Sequence, residues 1–202
     1  MKQLLIDTQP FSPSNNNIIL SESTKTSNGN VIISGLLATA EVENGNGRFY
    51  SKNLWEREIN KYNTLIKENR ATGELDHNSK EIIEFKNVSH IIREIWWDKN
   101  NIMGKVEILP TPSGNILRVL LENNVLVGIS SRGLGSLEKR KNGLMEVQDD
   151  FELVCWDFVS TPSNPGSWMK LKNNLNESLN RGYYNQYQNI NNIIREILIL
   201  NS

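Results

Sequence analysis

The sequence predicts an α+β chain: a mostly antiparallel β body with two inserted helices and a helical C-terminal tail. Three observations predict it. Apolar, partly β-branched runs at 31–43, 88–109, 125–131 and 144–160 are separated by turn-forming residues. Two stretches between them carry apolar residues at three- and four-residue spacing. Residues 171–198 repeat that spacing in a background of Asn and Gln.

Taken in order, residues 9–30 are rich in Ser, Asn and Thr, with Pro10 and Pro13, and read as a loose lead-in. The domain plan is therefore a lead-in over 1–30, a body over 31–170 and a tail over 171–202. Val31–Glu43 is a first buried strand, closed by the turn residues Asn44–Gly47. Ser51 can cap a helix on which Trp55, Ile59, Tyr62 and Ile66 share a face, ending near Asn69–Gly73. Two strands fill 88–109 around a turn at Asp98–Asn101, with Trp96 and Trp97 near the end of the first. Ser113 begins a short helix through Asn123 carrying Ile116, Leu117, Leu120 and Leu121. Val125–Ser131 returns to strand and runs into the glycine-rich Arg132–Gly135. Leu144–Ser160 reads as a hairpin or long bent strand, stopped by Pro162 and Pro165. In the tail, Leu171, Leu175 and Leu179 form one stripe, and Ile190, Ile193, Ile194, Ile197 and Leu198 a second.

Composition narrows function. With 202 residues, 38% of them hydrophobic, the chain can bury one sizeable core. Its net charge is −1, from 22 basic and 23 acidic residues, which argues against a general nucleic-acid or membrane-surface binder. No apolar run approaches the roughly 20 residues that span a bilayer. Met1–Pro10 has no basic region leading into an apolar one, so a reducing, cytoplasmic setting is the default expectation. A single cysteine, Cys155, leaves no partner for an internal disulfide and no multi-cysteine zinc site.

Three segments could carry chemistry. Gly73-Glu74-Leu75-Asp76-His77 follows the helix stop and sets His77 on a loop or strand edge, where a base can reach substrate. An incidental surface histidine is the plain alternative. Gly128-Ile129-Ser130-Ser131-Arg132-Gly133 ends a strand in paired serines followed by Arg and Gly, a pattern that can present a hydroxyl beside backbone N–H donors. It also suits an ordinary strand exit, and it lacks the spacing of the α/β-hydrolase elbow. Asp157 lies in the apolar run Leu153–Val159, so it either faces solvent at a strand edge or needs a partner such as a histidine N–H. Glu74, Asp76, His77 and His90 match no spaced metal signature, so no metal and no cofactor is expected. Cys155 is a poor nucleophile where its strand neighbours bury it.

Together these segments resemble the prohead core proteases of tailed phages, which are distantly similar to the herpesvirus assemblins. The resemblance rests on NGNGRFY (Asn44–Tyr50), GELDH (Gly73–His77), the W-W-x-x-x-N-x-x-G-K-V pattern from Trp96, GISSRGLGS (Gly128–Ser136) and D-x-V-S-T-P-S-N-P-G from Asp157. These occur in family order over roughly residues 31–170. Asn78 departs from the pattern, since many relatives carry proline there. The resemblance implies a β-barrel-like, herpesvirus-protease-like body with surrounding helices. It further implies that Ser130 is a serine endopeptidase's nucleophile, His77 its base and Asp157 the third member. The oxyanion or substrate would then meet Arg132 and Gly133, or the loop carrying Ser163 and Gly166. Relatives favour cleavage after Glu, for which Arg132 or a nearby Lys could supply positive charge. Scaffold and capsid proteins in the immature head, inside the host cytoplasm, would be the substrates, with the chain's own tail a further one. A homo-oligomer is compatible with this; nucleic acid and membrane are not expected partners. A non-catalytic capsid or scaffold component of the same fold is the alternative.

Overall fold

Alternation of apolar and polar residues becomes antiparallel ladders in the computed structural model, which describes residues 2–6, 24–26, 28–78, 80–123, 125–140, 143–160 and 168–169. In chain order the first elements are β1 (Gln3–Ile6), β2 (Thr24–Lys25), β3 (Val31–Thr39), β4 (Arg48–Phe49), α1 (Lys52–Lys67) and β5 (Thr72–Glu74). There follow β6 (Val88–Asp98), β7 (Asn101–Ile108), α2 (Pro112–Glu122) and β8 (Val127–Gly135). The last are β9 (Leu137–Lys139), β10 (Met145–Val147), β11 (Glu152–Val159) and β12 (Trp168–Met169).

Two sheets build the body. One runs β2-β3-β7-β6-β5, all antiparallel. In the other, β8 has β11 along one edge, while β1 and β12 share its opposite edge. A small third sheet joins β4, β10 and β9. Among the described residues, an isolated parallel bridge from Leu75 to Phe158 links the ladders of the two large sheets. A barrel-like body was expected; among the described residues the sheets stay open. The physical cause is local. β5 is three residues long, and Asp76 turns out of the ladder at φ 63°, a left-handed conformation that Asp tolerates better than most residues.

Side-chain spacing explains the helices. Ser51 caps α1 by accepting from the Leu54 N–H, and Leu54, Trp55, Ile59 and Tyr62 face inward. Thr111 caps α2 by accepting from the Gly114 N–H; Leu117 and Leu121 are buried, and Ile116 faces solvent. An aromatic cluster ties α1 to β11. Trp55 stacks on Trp156 with ring centres 6.0 Å apart, and Tyr62 meets Trp156 edge-on at 4.9 Å. Within the segment read as a lead-in, Gln3–Ile6 pairs with β8 and buries Leu5. The tail expected over 171–202 lies outside the described residues.

Candidate active site

β8 and β11 set the site by register. Ser130 lies opposite Asp157, and Arg132 opposite Cys155, so their side chains share one face of the pair. Ser131 lies opposite Trp156, on the other face with Ile129 and Phe158, which belong to the hydrophobic core. β5 brings the third segment in. Gly73 approaches β11 so closely that a Cβ there would stand 2.0 Å from the Trp156 carbonyl oxygen. Beyond it, the Leu75 N–H donates to Asn87 O at 3.0 Å and the Asp76 N–H to Phe158 O at 2.8 Å. Those two bonds pin the turn and hang His77 over Asp157.

His77 Nδ1 lies 2.7 Å from Asp157 Oδ2. A carboxylate cannot donate, so Nδ1–H is the donor, and in a neutral imidazole Nε2 then keeps its lone pair. Nε2 is buried and, among the described residues, has no hydrogen-bond partner. Asp157 is fully buried, which raises its carboxyl; the His77 hydrogen bond, the Arg132 charge and the Glu74 N–H outweigh that and hold it below its ordinary value. The structure thus brings together His77, Asp157 and the strand position of Ser130, residues 53 and 80 positions apart in sequence from His77.

A sequence model of the family described as prohead core protein serine protease matches residues 5–180. The chain belongs to this family. The prohead core protein protease of Enterobacteria phage T4 is 33% identical over 144 residues, 69% of this chain and 68% of the relative. The solved structure of the bacteriophage T4 capsid assembly protease superposes with a TM-score of 0.69 at 28% identity, covering 80% of this chain and 99% of that one.

In this prohead protease Arg132 and Gly133 are not placed as the resemblance implied. The Arg132 side chain is fully buried and committed: Nε donates to Asp157 Oδ2 at 2.8 Å and Nη2 to Glu74 Oε2 at 2.6 Å. Its charge is compensated inside the protein, so it is not available to a substrate carboxylate. Gly133 is set by packing, since a Cβ there would stand 2.4 Å from Phe151 Cε2. Arg132 and Gly133 also lie within the β8 ladder, between β1 and β11, a poor place for oxyanion donors. Ser163 and Gly166 lie outside the described residues.

The sequence reading missed Glu74 as a buried partner, weighing it only as a metal ligand and setting that aside. The signal was present: Arg132 interrupts the run Val127–Gly135, and a charge in a strand that reads as buried needs a counter-charge, the same reasoning applied to Asp157.

His90 is structural. Nε2–H donates to the Trp156 carbonyl at 3.0 Å, and Nδ1 accepts from Ser89 Oγ at 2.9 Å. Burial pushes its imidazole down to about 4, against the opposing pull of the Asp157 charge and the Trp156 carbonyl. The unfolded chain protonates His90 near 6.5 while the folded chain keeps it neutral. Its contribution to stability is complete above that pH and is lost as pH falls toward 4, by roughly 3 kcal/mol. Urea unfolding at about pH 7 and about pH 4.5 should show the loss, and His90→Gln should shrink it. An equal loss in the variant assigns the effect to other groups.

Proposed function

We propose that this prohead protease is a serine endopeptidase working through an acyl-enzyme on scaffold and capsid proteins, and on its own chain, inside the immature head. One observation carries the reading: His77 donates Nδ1–H to buried Asp157 at 2.7 Å, on the face that Ser130 shares with Asp157, and among the described residues its Nε2 has no partner. His77 Nε2 takes the Ser130 proton as Oγ attacks the scissile carbonyl; the bond to the leaving amine then breaks as the imidazolium returns the proton to it. Asp157 holds the tautomer and balances the imidazolium. Water repeats the sequence on the ester. With Arg132 and Gly133 inside the ladder, Ser163 and Gly166 remain as sequence candidates for the oxyanion donors. Ser130 is only 2% exposed, so substrate binding has to open its cover.

The test pairs scaffold cleavage with active-site labelling. The purified chain should cut scaffold protein, and a fluorophosphonate should label Ser130 and stop the cutting. A chain that cuts scaffold without label on Ser130 overturns the nucleophile. A chain that leaves scaffold intact favours the non-catalytic alternative.

A further inference from the structure

Arg132 has five donor hydrogens, and the protein uses the whole fork. Besides Asp157 Oδ2 and Glu74 Oε2, it donates from Nη1 to Asn78 Oδ1 at 2.6 Å and to the Lys80 carbonyl at 2.8 Å. Nη2 also reaches Cys155 Sγ at 3.2 Å. Glu74 is equally engaged. Its Oε2 accepts from Asn78 Nδ2 at 2.6 Å and its Oε1 from the Glu84 N–H at 2.6 Å, while its own N–H donates to Asp157 Oδ1 at 2.9 Å. Asn78 bridges the pair through both ends of its amide, which a proline at this position could not do.

Charge explains why two groups are needed. Arg132 and His77 donate to the same oxygen of Asp157. With Arg132 alone, the guanidinium would neutralise the carboxylate, and nothing would remain for an imidazolium at His77. Glu74 brings the buried set of two carboxylates and one guanidinium to a net −1, the charge that an imidazolium balances.

We propose that Glu74 and Arg132 are positioning residues: they clamp Asp157 and the stretch at Asn78, Lys80 and Glu84, hold His77 in line, and reserve the Asp157 charge for it. The inference rests on His77 and Asp157 acting as base and orienter. It is tested on the full chain with Glu74→Gln, which keeps shape and removes charge, and Arg132→Lys, which keeps charge and removes the fork. Each variant is followed by thermal melting, by kcat and KM on a scaffold peptide, and by the downfield proton resonance of His77 Nδ1–H, assigned with His77→Ala. Expected in folded variants is a kcat lower by about 10- to 100-fold, with KM within about 3-fold, since small misplacements cost that much. The His77 resonance should shift or broaden with it. Folded variants with unchanged kcat and an unchanged resonance overturn the clamp. So does an activity loss that merely tracks the unfolded fraction. If the wild-type chain neither cuts scaffold nor takes label on Ser130, the protease reading fails by itself, and the resonance still decides the clamp.

Discussion

Replacing Ser130 by alanine should abolish proteolysis, lowering kcat by up to about a million-fold, the scale on which a nucleophile that acts with its base is lost. Ser131→Ala should leave most of the activity. The two serines are adjacent, yet the strand gives them opposite faces. Ser130 stands across from Asp157 and shares its face with Arg132, whereas Ser131 stands across from Trp156 among Ile129 and Phe158. His77 reaches Asp157 on the first face. A nucleophile on the second would need the sheet between it and its base. Removing one buried hydroxyl leaves the backbone ladder untouched, so both variants should melt close to the wild type. Peptide cleavage followed by chromatography decides the matter. Loss confined to Ser131→Ala reverses the assignment, and equal loss in both variants removes the face argument.

What could be read in the sequence follows from how local its cause is. The Ser51 cap, the Trp55–Ile59–Tyr62 face and the turn between β6 and β7 depend on residues within a few positions of one another, and each is found as read. Gln3–Ile6 gave no such signal. Its strand exists because β8 offers an edge more than 120 residues away in the chain. The open sheets trace to a local feature that no residue pattern announces: β5 is three residues long and the positive φ at Asp76 turns the chain out of its ladder. At the site, single residues with scarce chemistry were legible. His77 was one of two histidines, and Asp157 was an acid in an apolar strand. For Arg132 and Glu74 the sequence showed a need and not its answer: a charge in a strand calls for a counter-charge, but nothing nearby says which residue supplies it. They lie 58 positions apart and meet at 2.6 Å in a place neither neighbourhood reveals.

Asp157→Asn should lower kcat by about 10⁴-fold and should also destabilise the fold. The carboxylate accepts from His77 Nδ1 and Arg132 Nε at Oδ2, and from the Glu74 N–H and Cys155 Sγ at Oδ1. An asparagine has one acceptor oxygen and one amide that only donates. If its oxygen faces Arg132 and His77, its NH₂ is driven against the Glu74 N–H. If it turns round, the NH₂ meets the guanidinium and forces His77 to give up the Nδ1–H tautomer that leaves Nε2 basic. Arg132 also loses a counter-ion while fully buried. Breaking a buried pair costs roughly 3–5 kcal/mol, and the lower end applies because Glu74 still holds Nη2. The sign with pH follows from the carboxyl lying below its ordinary 3.8 in the folded chain. Its contribution is present above that value and lost as pH falls through the lower folded one. The stability gap between wild type and variant, measured by urea unfolding, should therefore be widest near neutrality and close in acid, once the wild-type Asp157 is itself protonated. A gap that persists in acid would trace the loss to packing instead, and a variant as stable and as active as the wild type would remove Asp157 from both roles.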